Sequence, residues 1–366
     1  MRLRSELLEE KKSRVRRWMA AHGFDYVILA RRDSFAWFTS GGNNRVFFSS
    51  DNGAGILVIG RRRVFLVAES MDCSRIMDEE LDGTGIVPIM IHWYDGGCTV
   101  AALKLTSGRV ASDIPMTGSE YVFKELLRLH LPLLPIENQR LEMAGREADQ
   151  AMSSAADKIV PGMTEIEIQG LILGEYGKLG MIPKVVLIGT DERIARYRHP
   201  VATGKKLEKT VLLHVAAEHY GLHANITRMI CFGAIPGQLS ADYDFLNRLQ
   251  AMIAASLCPG TFFGKILETR RKMMEQYGVL NEYDNHYPGS TTGYFIGNAD
   301  PLINNELVAA TQCFDWFLTL TGCKVEELIQ AGQDGGRILS VLGNWPTREY
   351  TWQDYKCKLP MILQKG

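Results

Sequence analysis

A chain of 366 residues is longer than one hydrophobic core usually serves, so two domains are expected. Lys and Arg number 41 against 42 Asp and Glu, and 46% of the residues are hydrophobic; this balance lacks the electrostatic footprint of a nucleic-acid or membrane-surface binder and leaves a small molecule or short peptide as the expected partner. Seven cysteines, scattered from Cys73 to Cys357 without a C-x-x-C pair, argue against a disulfide framework or a zinc knuckle, and no run reaches the ~18 apolar residues of a membrane span, so the sequence reads as cytoplasmic.

Leu7, Leu8, Val15, Trp18 and Met19 fall on one side of a helix over 5–21 that Gly23 ends. A strand follows at 26–30. Apolar runs at 55–59 and 63–67 flank the basic turn Gly60-Arg61-Arg62 as paired strands, and runs near 86–91 and 108–112 continue the alternation. A small α/β domain over 1–140 is expected, with GGNNRVFFSSDNG as a loop within it.

From Arg146 the texture changes. Ala148, Met152, Ala155 and Ile159 recur at spacings of four and three, giving a helix that Pro161-Gly162 stops. Thr164 and Glu167 form a Thr-x-x-Glu capping box for a second helix, whose buried stripe is Ile168, Leu171, Ile172 and Leu179. The arrangement recurs where a helix bearing Leu246, Leu249, Met252 and Ile253 reaches Pro259-Gly260-Thr261 and another runs to Tyr277-Gly278; KIVPGMTEIEI and SLCPGTFFGKI are the matching segments. Strand-like segments follow each pair, at 184–189 and 211–232, then at 286–294 and 307–329. A helix pair plus strands, used twice, predicts a pseudo-twofold domain over 141–366 with a cleft between its halves. Period-two alternation lets His214 face that cleft, puts Glu218 and His219 in solvent at a hairpin tip, and gives His223 and Asn225 a common face.

The segments AADKIVPGMTEIEIQGLI, RHPVATGKKLEKTVLLHVAAEHYGLHANITRMICFG, HYPGSTTGY and GCKVEELI, in this order, resemble the pita-bread hydrolases of the creatinase, aminopeptidase P and prolidase superfamily. The resemblance covers almost the whole chain and implies an α/β (α+β) fold: a small N-terminal creatinase-like domain followed by a pita-bread domain, with a homodimer as the family's habit. It also implies five side chains holding two divalent ions. Here His214 and Asn225 align with the two Asp ligands, Ser290 falls near the His and Phe317 near the first Glu, and Glu326 alone keeps its type. No metal ligand set and no cofactor are therefore expected.

The same resemblance makes His199, in Arg198-His199-Pro200, the loop histidine beside the scissile bond, and His286 the counterpart of creatinase's proton-transfer base, with Glu326 completing the catalytic set. His214, His223 and Asn225 are the expected substrate contacts, and Arg45, with Asn43 and Asn44, belongs to the loop that roofs a partner's cleft in creatinase-like dimers. Arg228 reads as scaffold, and Ser290, Thr291 and Thr292 as turn chemistry. A rearranged single-metal site from His214, Glu326 and Asp315, and a His214–Glu326 ion pair, are the competing readings of those residues. The expected function is metal-independent hydrolysis of a C–N bond in an amide, amidine or short peptide; the alternative is an inactive pseudo-peptidase that binds a ligand or partner.

Overall fold

The computed structural model describes residues 2–341, 343 and 345–366. It divides into two compact units, one ending at Leu134 and the other running from Pro135 to Gly366. The division falls ahead of position 140 because the helix expected from Arg146 already begins at Pro135 and runs to Ala156, burying Leu141 and Ala144 in continuation of its stripe. Proline suits the first helical turn, where its missing N–H has no partner to lose.

In the first unit the helix Arg2–His22 buries Leu8, Val15, Trp18 and Met19, and Gly23 follows it at φ +72°, the left-handed conformation that ends a helix. A six-stranded sheet has the order Val87–Ile91, Val64–Glu69, Asn52–Gly60, Tyr26–Arg31, Val110–Ser112, Glu120–Tyr121. The expected hairpin forms around Arg61-Arg62, pairing Ile59 with Val64 and Gly55 with Ala68. In the loop before Asn52, Asn44 is buried and its amide donates to Gly55 O at 2.8 Å, so it pins the loop to the sheet instead of presenting itself to a ligand.

The second unit is built on an eight-stranded sheet whose main path is Gly289–Thr292, Cys313–Leu320, Cys323–Gln330, Leu222–Phe232, Thr210–His219, Ile182–Thr190. Arg337–Ile338 pairs with Cys323–Gln330, and Leu363–Lys365 with Leu222–Phe232. The helix pairs are Pro135–Ala156 with Glu165–Lys178, and Gly237–Ser256 with Phe263–Tyr277. Thr164 caps the second of these with both bonds of the capping box, and Gly278 ends the fourth at φ +84°.

Three expected strand segments are cut differently. The 211–232 run is a hairpin that turns at Tyr220-Gly221, both at positive φ, as a tight turn between twisted strands requires. The 307–329 run breaks at Thr321-Gly322 into Cys313–Leu320 and Cys323–Gln330. The 286–294 run keeps only Gly289–Thr292, because Pro288 cannot donate to a ladder; His286 therefore sits in a bend before the strand.

On the helix-covered side of the sheet, Phe314, Trp316, Leu318 and Val325 pack with Leu249, Met252 and Ile253. Arg228 is also fully buried, donating to Asp149 Oδ1 and Ser340 O at 2.9 Å each and to Glu327 Oε2 at 3.3 Å. This is the scaffold role expected of it: burying a guanidinium is tolerable only with such pairing. No helix among the described residues is long and apolar enough to cross a membrane.

Candidate functional site

The strand register places the polar residues of the sheet's other face in one row. Residues directly opposite in a ladder share a face, and here Leu187 stands across from His214, His214 from Thr227, Thr227 from Glu326, and Glu326 from Phe317. One step along, Ala216 faces Asn225, and Asp315 faces Ser290. All of these side chains but Thr227 line a cavity of about 350 Å³, together with Val185, Lys324, Tyr287, and the two histidines that enter from loops, His199 and His286.

The structure thus brings His199, His214, Asn225, His286 and Glu326 together and leaves His223 and Arg45 out. His223 is buried with Nδ1 donating to Gly293 O at 2.7 Å, which ties the hairpin to the chain after Gly289–Thr292, and it does not line the cavity. Arg45 lies in the first unit with its guanidinium 5.2 Å from the Phe48 ring. Nor are the hairpin-tip residues bathed in solvent: His219 bonds to Glu147 on the helix Pro135–Ala156, and Glu218 lies 3.8 Å from Lys184.

Lys324 was not anticipated. It is 3% exposed, and its Nζ lies 2.8 Å from Glu326 Oε2 and 3.4 Å from His214 Nδ1. The available signal was its spacing: two residues from Glu326 in a strand, it must share that face. Glu326 Oε2 also accepts from Thr227 Oγ1 at 2.9 Å and lies 2.9 Å from His214 Nδ1. Burial pushes the Glu326 carboxyl up, but the charges of His214 and Lys324 outweigh it and hold the group below the usual carboxylate range. For His214, burial wins over the pull of Glu326 and lowers its pKa. Glu326 thus meets Lys324, Thr227 and His214 through one oxygen.

Burial, reinforced by Glu326, raises Asp315 well above the ordinary carboxylate range. Ser290 Oγ donates to its Oδ1 at 2.6 Å and Asn225 Nδ2 to its Oδ2 at 2.5 Å. Asn225 Oδ1 and His286 Nε2 are buried without a hydrogen-bond partner.

Both loop histidines are held in place. Ile188 N donates to Pro200 O at 3.0 Å and Pro200 is buried, which fixes His199 at the exposed mouth of the cavity. Arg198 donates to Glu282 Oε2 at 2.7 Å, linking that loop to the segment before His286. The two imidazoles meet edge to face at 5.1 Å between centroids, and His286 packs on Phe317 at 4.9 Å with Nδ1 3.4 Å from Thr319 Oγ1. Burial, then Lys324 and His199, push His286 down to about 4. It is neutral at pH 7, lower than the near-neutral titration expected of a tuned base.

That shift makes stability depend on pH. An unfolded His286 titrates near 6.5 and the folded one near 4, so the unfolded chain binds more protons between these values. Its contribution is fully present above pH 6.5 and is lost as pH falls toward 4. Allowing for its partial exposure, the term is worth roughly 1–2 kcal/mol. Denaturation of the parent and of His286→Phe across pH 4.5–7 should show the parent losing stability relative to the variant as pH falls; a pH-independent difference would contradict it.

These donors do not fit a pair of divalent ions. His214 and Asn225 supply no carboxylate, Glu326 is paired with Lys324, and Asp315 accepts hydrogen bonds on both oxygens. The single-metal reading meets the same obstacle, and among the described residues no group of three or more His, Cys, Asp or Glu is placed to hold a metal ion.

Residues 139–315 match the sequence profile of metallopeptidase family M24. The matched stretch lies within the second unit. Solved structures agree on the fold across both units: dipeptidase PepE from Mycobacterium ulcerans superposes at TM-score 0.75 with 15% identity over 99% of each chain. X-Pro aminopeptidase from Thermotoga maritima gives 0.74 with 16% identity over 97% of this chain and 99% of that one. The N-terminal domain of the FACT complex subunit SPT16 from Cicer arietinum gives 0.66 with 12% identity over 92% and 97%. At such identities the likeness shows the pita-bread architecture. No curated protein matches the chain. Within the matched stretch and the strand after it, Lys324, Glu326 and His214 form one cluster.

Proposed function

We propose that the chain is a metal-independent hydrolase of a C–N bond in a small amide or short peptide. The observation that carries this reading is the cavity itself, where a neutral His286 with an unpartnered Nε2 faces a buried ammonium and carboxylate. His286 takes a proton from water as the oxygen attacks the carbonyl carbon, then delivers that proton to the leaving nitrogen as the C–N bond breaks. A pKa near 4 makes it a modest base and a strong proton donor in the second half of that cycle. His199, at the mouth, orients substrate against it, and Glu326 keeps Lys324 and His214 in position. The reading includes a homodimer in the cytoplasm, which rests on the family resemblance and the scattered cysteines, with Arg45 a substrate anchor lent across the dimer.

A non-catalytic binding role is the second reading, favoured by the lost ligand set and by the fold's likeness to the SPT16 domain. Elemental analysis of purified protein, with an activity screen over dipeptides, amides, cyclic amidines and guanidino compounds with and without EDTA, separates the two. Turnover unchanged by chelator is expected. Two equivalents of bound divalent metal, or abolition by EDTA, would overturn metal independence, and no turnover on any amide or peptide would favour the binder.

A further inference from the structure

We propose that Lys324 is the site's built-in cation and that the cavity selects a neutral amide, its carbonyl oxygen on the Lys324 ammonium and its N–H on Asn225 Oδ1, over cationic amidines and guanidines of the same shape. This names a substrate class for the hydrolase reading and rests on that reading for the use of the cavity.

Lys324 carries three N–H donors and no acceptor. One is directed to Glu326 Oε2 at 2.8 Å and another faces His214 Nδ1 at 3.4 Å, which leaves a third for the cavity. Asn225 supplies the opposite polarity. Its Nδ2 is committed to Asp315, so the buried and unpartnered Oδ1 is an acceptor waiting for a donor. An acceptor and a donor presented together are what the edge of an amide requires.

The spacing agrees. The Lys324 ammonium reaches the row of His214, Thr227 and Glu326, and Asn225 stands two residues along the same strand as Thr227. Two residues of strand are roughly 7 Å, a span that an amide group with a hydrogen bond of about 2.9 Å at each end covers. Val185, Leu187, Ala216 and Phe317 give the apolar walls that a compact acyl or ring portion would fill.

Charge and hydrogen-bond polarity exclude the cationic isosteres. An amidinium or guanidinium edge offers only donors, so against Lys324 it would leave two donors facing each other and bring like charges together. Glu326 Oε2 already accepts from Lys324 and Thr227. Both oxygens of Asp315 are engaged, by Ser290 and Asn225.

Equilibrium binding of pyrrolidin-2-one and of the isosteric 2-iminopyrrolidine, protonated at pH 7, to the full chain tests this directly, for instance by ligand-observed NMR titration. The lactam should bind the parent about tenfold or more tightly than the amidine, the cost of a buried hydrogen bond left unmade. Lys324→Met leaves the Glu326 carboxylate unbalanced, so the preference should collapse or reverse. Equal binding, preference for the amidine, failure of both ligands to bind the parent, or a parent-like ratio in Lys324→Met overturns the proposal. If Lys324→Met loses the parent's thermal transition, Lys324→Arg replaces it: retaining the charge, it should keep the lactam preference, and a reversed ratio overturns the proposal. Because binding is read rather than turnover, lactam preference in a protein that hydrolyses nothing would sink the hydrolase reading alone, and amide turnover indifferent to Lys324 would sink this assignment alone.

Discussion

His286→Ala is expected to lower turnover of the site's amide substrate by at least ~10²-fold, the usual loss for a general acid–base group, while the thermal transition stays close to that of the parent. His286 stands in a bend, half-buried, with Nε2 unpartnered, so removing it breaks no ladder bond and strands no buried charge. The parent's kcat/KM should be level through neutral pH and fall only as pH drops toward about 4, where His286 becomes imidazolium. His219→Gln serves as control, since His219 is bonded to Glu147 and does not line the cavity. A His286→Ala enzyme as active as the parent, or an acid limb near pH 6.5 that survives the substitution, would show that some other group moves the proton.

Arg228→Met should destabilise the second unit by about 3–5 kcal/mol, the cost of leaving buried charge unpaired. Its guanidinium is the cation between Asp149 and Glu327, and burial already raises Glu327 to about 7 even with Arg228 beside it. Without the arginine, two buried carboxyls compete for one environment, and both must take protons or unfold the region. Hydrogen exchange along Leu222–Phe232 is the appropriate measurement, because it reads this unit by itself. Its protection should fall by about 10²-fold or more. Adding Glu327→Leu to Arg228→Met should recover part of that loss, since the second change removes one stranded carboxyl. Unchanged protection in the single variant would mean that water or a relaxed backbone takes over the arginine's role.

Local sequence determined a good deal of this protein. Helix stops at Gly23 and Gly278, the capping box of Thr164 and Glu167, and the paired strands around Arg61-Arg62 follow from chemistry within a few residues of each position. Alternation along a strand let His214 face the cleft and gave His223 and Asn225 a common face, and the same rule applied to Lys324 would have put it on the face of Glu326. Sequence pattern could not decide what each polar group meets. What Glu326 meets depends on Lys324, His214 and Thr227 reaching the same oxygen; how far the Asp315 pKa rises depends on how much water the fold removes; and whether His223 faces a ligand or Gly293 depends on a segment seventy residues away. These outcomes come from burial and from contacts between distant strands, which only the tertiary structure sets.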